Sequence, residues 1–250
     1  MIYVNRGPEP DGFSERAANW YERFEARCKQ DPKLTPAKFW SRVRREVRND
    51  AQSLHKAFHG KCAYCEAKMG HVSASQVEHY RPKKKFSDQM FDWQNWLLSC
   101  GRCNQKKWLH FPDCDGQPCL LNPSTEDPAS HLDFCGAKVR GKTHRGEETI
   151  GLVGLDRSPL EDERTRWLMV INVLLLLYCV PKASTEARSL LIWAMQADAP
   201  YAAMTRCYLR RKTPRLAAPE IPHPLVTLHD PQERIANFVQ EYADQLYNLD

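Results

Sequence analysis

Two Cys-x-x-Cys pairs frame the middle of this 250-residue chain: Cys62 and Cys65 in "KCAYCE", then Cys100 and Cys103 in "SCGRCN", with 34 residues between the pairs. Two thiolate pairs on tight turns supply four sulfur ligands in a tetrahedron, the closed geometry of structural zinc. The spacer is longer than that of common zinc ribbons, so it is expected to contain a functional element and not only a turn. Inside it lies "QVEHYRPKKKF", residues 76–86, with an acid and a histidine side by side and four basic residues after them. Phosphodiester hydrolysis needs a base to deprotonate water, a cation to stabilise charge at phosphorus and the leaving oxygen, and basic groups to hold the backbone. His79 can be that base, because a neutral imidazole with a pKa of about 6.5 accepts a proton at working pH. Glu78 is its neighbour. On an extended segment adjacent side chains point to opposite faces, so the two serve one site only where the chain bends.

A Glu-His dipeptide alone also occurs by chance as an exposed polar pair, and its company carries the argument. Asn95 follows in "DWQNWLLSC" and Asn104 in "RCNQKKWLH". The series Cys-x-x-Cys, "EHYRP", "NWL" and "CGRCNQKK" resembles the zinc-stapled His-Asn-His (HNH) nuclease domain of the ββα-metal type, over residues 62 to about 110. The resemblance implies that His79 is the general base and that Asn95 holds the loop that aims it. It also implies that Glu78 and Asn104 ligate a catalytic divalent metal, magnesium or manganese. The third signature position is Asn104 where many relatives have histidine. His110 in "KKWLHF" is the alternative third ligand, but it lies six residues on and so on another side of a continuing helix, which favours Asn104. Arg81, Lys83, Lys84, Lys106 and Lys107 are candidate phosphate contacts, with solvated surface as the other reading of each.

These residues need elements to position them. Apolar residues make up 42% of the chain, enough to offset the ordering entropy of a folded core, so disorder is not expected. The formal charge is +5, but residues 76–110 alone hold seven basic against three acidic side chains, which is the footprint of a polyanion or a solvated face. Residues 1–60 read as an N-terminal helical region, "FSERAANWYERFEARCKQ" and then one long helix from Thr35 and Pro36 to Gly60 bearing Arg42, Arg44, Arg45 and Arg48. Residues 61–112 form the HNH module with its four-cysteine zinc site. Residues 113–148, rich in Pro, Asp and Ser, read as an ordered connecting loop, and 149–250 as a C-terminal helical region that contacts a partner. The expected fold class is α+β and mostly helical, a zinc-stapled ββα-metal HNH module embedded between two helical regions.

The aliphatic run Trp167–Val180 is interrupted by Asn172 and stopped by Pro181, too short for the roughly 20 residues of a membrane span; it reads as a buried helix, or else as a partner-binding one. The start "MIYVNRGPEPDGF" lacks the apolar core of a signal peptide, so a cytoplasmic protein with reduced cysteines is expected. Cys114 and Cys119 read as free thiols, and Cys28, Cys179 and Cys207 as small buried apolar groups. Beyond the module, "MIYVNRG", "CLLNPSTEDPASHLDF" and "TIGLVGLDRSPLEDERTR" make the layout similar to the HNH subunit of Septu-type and retron-associated anti-phage systems. That resemblance implies a partner ATPase of the ABC-like class. The leading function is a metal-dependent endonuclease with DNA favoured as substrate. A catalytically degenerate zinc-stapled adaptor that only binds nucleic acid, and an RNase acting on RNA such as tRNA, are the alternatives.

Overall fold

In the computed structural model, which describes residues 1–69 and 76–213, helices precede and follow a small ββα unit. The first helix, α1 (Phe13–Gln30), packs beside α2 (Pro36–Val43) and α3 (Arg48–Ala57). The cap at Thr35 forms as the sequence suggests: its hydroxyl accepts the Lys38 N–H at 3.3 Å, with Pro36 in the first turn. The single long helix expected from Pro36 to Gly60 is instead two. Glu46, in the turn between them, is drawn to α1, where Arg23 meets it at 2.7 and 3.0 Å and the Trp20 indole at 2.9 Å. Gly60, at φ +64°, terminates α3 and sends its N–H back to the His55 carbonyl at 2.9 Å.

The hairpin pairs β1 (Gln76–His79) with β2 (Trp96–Ser99) antiparallel, with Glu78 opposite Leu97 and His79 opposite Trp96. The next helix, α4 (Gly101–Lys107), starts at the second cysteine pair. Two strands cannot bury a core of their own. The hairpin therefore borrows one: Phe13, Trp20, Phe39, Trp40, Phe91, Trp93 and Trp96 form a continuous aromatic cluster of edge-to-face, tilted and stacked contacts between α1, α2 and the hairpin.

Residues 113–148, expected as a loop, form two short hairpins: β3 (Asp113–Cys114) with β4 (Gln117–Pro118), and β5 (Leu132–Cys135) with β6 (Lys138–Gly141). The first of them brings Cys114 and Cys119 to a Cα separation of 5.0 Å and joins them in a disulfide. The expectation of free thiols is thereby corrected: a tight hairpin supplies the approach that a spacing count does not.

Four helices follow, α5 (His144–Val153), α6 (Ser158–Tyr178), α7 (Ser184–Trp193) and α8 (Ala202–Lys212). The aliphatic helix α6 buries Leu168, Ile171, Leu174 and Leu177, but Met169, Val173 and Leu176 stand exposed at helical spacing on its other side, with Val180 exposed just past its end. The expected buried helix is thus buried on one face only. Cys179 is exposed and Cys28 and Cys207 are half-buried, so none is the fully buried apolar group expected. No described helix is long and apolar enough to cross a membrane. His71 and the C-terminal stretch 230–249 lie outside the described residues.

Candidate active site and metal centre

The four thiols converge. Cys62 and Cys65 sit on a knuckle between Lys61 and Lys68, tied to β2 by the Ala63 N–H on the Leu98 carbonyl at 2.8 Å, and Cys100 and Cys103 open α4. All four are buried, with their sulfurs within 4.8 Å of one another. A tetrahedral zinc with Zn–S of about 2.3 Å places sulfurs about 3.8 Å apart, and Cys65 and Cys100 are 3.9 Å apart, so the donor set fits zinc. The Arg157 guanidinium approaches the Cys103 sulfur at 3.6 Å from the segment before α6. The knuckle is also fastened to the C-terminal helices: the Lys61 ammonium donates to the Ala199 carbonyl at 2.7 Å, and the Glu66 carboxylate accepts the Ala203 N–H at 3.0 Å.

His79 ends β1 with 3% exposure. Its Nε2 lies 2.9 Å from the Met90 carbonyl, which can only accept, so Nε2 carries the proton and Nδ1 the lone pair. Nδ1 is buried with no partner among the described residues. Burial, and then the Lys83 charge, push the imidazole well below its ordinary 6.5, while the Met90 carbonyl opposes them. The ring is neutral at pH 7, as a base must be. It is not open to water, however: the Trp40 ring stands over it edge to face at 4.5 Å, and Lys83 lies over that same indole at 5.8 Å. The residue expected from the sequence as the base is covered by an aromatic brought from α2.

Asn95 clamps the loop between the strands. Its Oδ1 accepts the Arg81 N–H at 2.7 Å, and its Nδ2 donates to the Arg81 and Gln89 carbonyls at 3.0 Å each. Since Met90 follows Gln89, the clamp sets the carbonyl that orients His79.

Glu78 points to the other face of β1, onto α4, where Lys107 meets its Oε1 at 2.5 Å and also donates to the His79 carbonyl at 2.8 Å. Both side chains are buried, at 4% and 1% exposure. Burial raises the Glu78 carboxyl although Lys107 opposes it, and lowers the Lys107 ammonium although Glu78 opposes it. Lys107, expected on the surface as a phosphate contact, is therefore the internal cation of this site. Three residues before it on α4, Asn104 donates from Nδ2 to Gln76 Oε1 at 2.7 Å, so the two helix residues face two alternate residues of β1. Arg81 and Lys83 are half-buried, the former beside Phe86 and Phe111; Lys84, Lys106 and His110 are exposed. Asn104, Gln76, Lys83, Lys84 and Arg102 share a groove of about 1250 Å³. The sequence reading did not single out Trp40, Gln76 or Arg157. Lys107 could have been placed from its i,i+3 spacing to Asn104.

Residues 62–108 match the family model described as HNH endonuclease. The segment is an HNH endonuclease domain, in agreement with the motif reading. The chain is similar to two proteins named Septu protein PtuB. One is from Bacillus mycoides, 29% identical over 66% of this chain and 66% of the relative; the other is from Bacillus thuringiensis, 33% identical over 42% and 40%. It is also similar to the Vibrio cholerae protein named "Retron Vc95 putative HNH endonuclease", 28% identical over 45% of this chain and 60% of that one. The matched stretch spans less than two thirds of the length of each of these relatives.

Proposed function

We propose that the chain is the metal-dependent endonuclease of an anti-phage defence complex. It hydrolyses phosphodiester bonds, DNA favoured, under the control of an ABC-like partner ATPase. The observation that carries the proposal is the arrangement of His79: Nε2 is committed to the Met90 carbonyl, and the lone pair on Nδ1 is left without a partner inside an HNH domain. In that tautomer Nδ1 takes the proton from the attacking water. Asn95 keeps the Met90 carbonyl in place through the Gln89–Arg81 loop, and so fixes the ring's direction. The hydrogen bond also stabilises the imidazolium that forms, because its partner is a carbonyl oxygen.

Glu78 and Asn104 offer one carboxylate and one amide oxygen, the hard ligands that magnesium or manganese takes while keeping the rest of its shell as water. Once bound, such an ion stabilises charge on the phosphate and the leaving oxygen. Lys107 holds the carboxylate in this structure, so Glu78 becomes a ligand when its ammonium partner yields. Lys84 and Lys106, both exposed, are the side chains best placed to track the backbone without rearrangement; Lys83 serves after its contact with Trp40 opens, and Arg81 after it leaves Phe86 and Phe111.

The cover over His79 supports control by a partner: water reaches Nδ1 when the indole of Trp40 withdraws. The exposed apolar stripe of Met169, Val173 and Leu176 on α6, continued by Val180 just past its end, is where that partner would bind. The same cover would suit an adaptor that only binds nucleic acid, but an adaptor has no need to keep Glu78, His79, Asn95 and Asn104 together. The test is cleavage of labelled DNA and of RNA by the chain with its genomic neighbour, with added magnesium or manganese, for wild type and His79→Ala. Loss of cleavage in the variant with retained nucleic-acid binding supports the nuclease; a wild type that binds and never cuts establishes the adaptor.

A further inference from the structure

Trp108 closes α4 at φ +48° and ψ −119°, a region bulky residues rarely occupy. Its side chain is 67% exposed, and none of the ring pairs or cation contacts among the described residues includes it. The indole lies on the wall of the groove that holds Asn104, Arg102, Lys83 and Lys84. The backbone N–H of Trp108 donates to the Asn104 carbonyl at 2.9 Å, which fixes the tryptophan one helical turn, roughly 6 Å along the axis, beyond the side-chain amide proposed to hold the catalytic ion. The apolar stripe on α6 and just past its end is elsewhere: none of Met169, Val173, Leu176 and Val180 lines this groove.

A large flat apolar surface in a basic groove is a stacking platform for a base, and the stacking is tolerant of sequence because every base has a π-face. Bases inside a duplex have both faces covered by their neighbours. A side chain that rests on a base face therefore engages a nucleotide that is unpaired, terminal or flipped out. We propose that Trp108 stacks on an unpaired nucleobase next to the phosphate under attack, so that the strand this enzyme cuts is single-stranded or locally opened. The inference rests on the nuclease reading for the identity of the attacked phosphate. The stacking contact itself is measurable without any cleavage.

The experiment uses the full chain with its partner ATPase and no added magnesium or manganese. Fluorescence anisotropy reads binding to a mixed-sequence single strand of DNA, the same strand of RNA, and the DNA duplex. Trp108→Ala is expected to weaken single-strand binding about 5- to 150-fold, the equivalent of the 1–3 kcal/mol of one stacked base, while duplex binding changes less than about twofold. Trp108→Phe should restore most of the loss. The sugar for which the loss is larger identifies the strand the groove prefers. Equal weakening on duplex and single strands, no weakening on either single strand, or a wild type that binds only duplex each overturns the proposal. His79→Ala should keep the full Trp108 dependence, so a failure of the nuclease reading shows in cleavage and a failure of stacking shows in binding.

Discussion

Glu78 and Lys107 form a buried pair that does not recover its own desolvation, since burial dominates the shift of both partners despite the 2.5 Å contact. Removing one partner leaves the other charged in the interior, where it neutralises rather than stay ionised. For Lys107→Met, protonating a carboxyl of ordinary pKa 4.5 at pH 7 sets a ceiling of about 3.4 kcal/mol on the electrostatic cost. For Glu78→Gln, deprotonating an amine of ordinary pKa 10.5 sets a ceiling of about 4.8 kcal/mol. The double variant carries neither charge and should lie within about 1 kcal/mol of wild type, or above it, as replaced buried pairs often do. Urea unfolding of the four proteins, followed by tryptophan fluorescence with zinc present, gives the coupling energy, expected to be at least about 3 kcal/mol. The two variants that lack the Glu78 carboxylate should be inactive, the stable double one included, because the proposed ion then has no carboxylate to bind. Single variants that each lose less than about 1 kcal/mol, with losses that add in the double, would refute the reasoning: the charges would then be hydrated.

Three further outcomes follow from the same geometry. Asn95→Ala strands the Arg81 N–H and two carbonyls, so it should lower stability by about 2 kcal/mol or more and cut activity with zinc content unchanged, as measured by unfolding, turnover and metal analysis. Strong chelation should unfold the module as seen by circular dichroism, and Arg157→Met, which removes the cation beside the Cys103 sulfur, should make zinc leave faster in a chromophoric chelator assay; equal release rates would show the contact to be incidental. Burial would raise the Glu126 carboxyl, but the Arg145 fork and the Asn122 N–H hold it below its ordinary 4.5; its contribution is therefore present above about pH 4.5 and is lost as pH falls through the folded value. Arg145→Met should remove that part of the acid dependence of the melting temperature.

What the sequence made legible is what local chemistry fixes. Two Cys-x-x-Cys pairs are a ready-made set of four sulfur ligands, and the Glu78–His79 step with Asn95 and Asn104 reads as a site because each spacing is set within one hairpin and one helix. The helical caps at Thr35 and Gly60 are local too. The rest depends on what packs against what across the chain. Trp40 covers His79 because a two-stranded hairpin must borrow a core from α2, and no spacing within residues 62–108 encodes that. Lys107 turns inward because the buried carboxylate needs a cation, although the run "NQKKW" reads as surface. The Cys114–Cys119 bond depends on a hairpin inside a stretch whose Pro and Asp content suggests only a loop. The aliphatic run Trp167–Val180 shows where composition misleads: apolar nearly all round in sequence, it buries one face and leaves Met169, Val173, Leu176 and Val180 exposed.

The central claim is that the imidazole of His79 removes the proton in a phosphodiester cleavage. The direct measurement is the single-turnover rate on labelled DNA and RNA, with the partner ATPase and manganese present, for wild type and His79→Ala matched in zinc content and melting temperature. The account predicts a loss of about 100-fold or more on whichever substrate the wild type cuts. Cleavage by His79→Ala at the wild-type rate would contradict it.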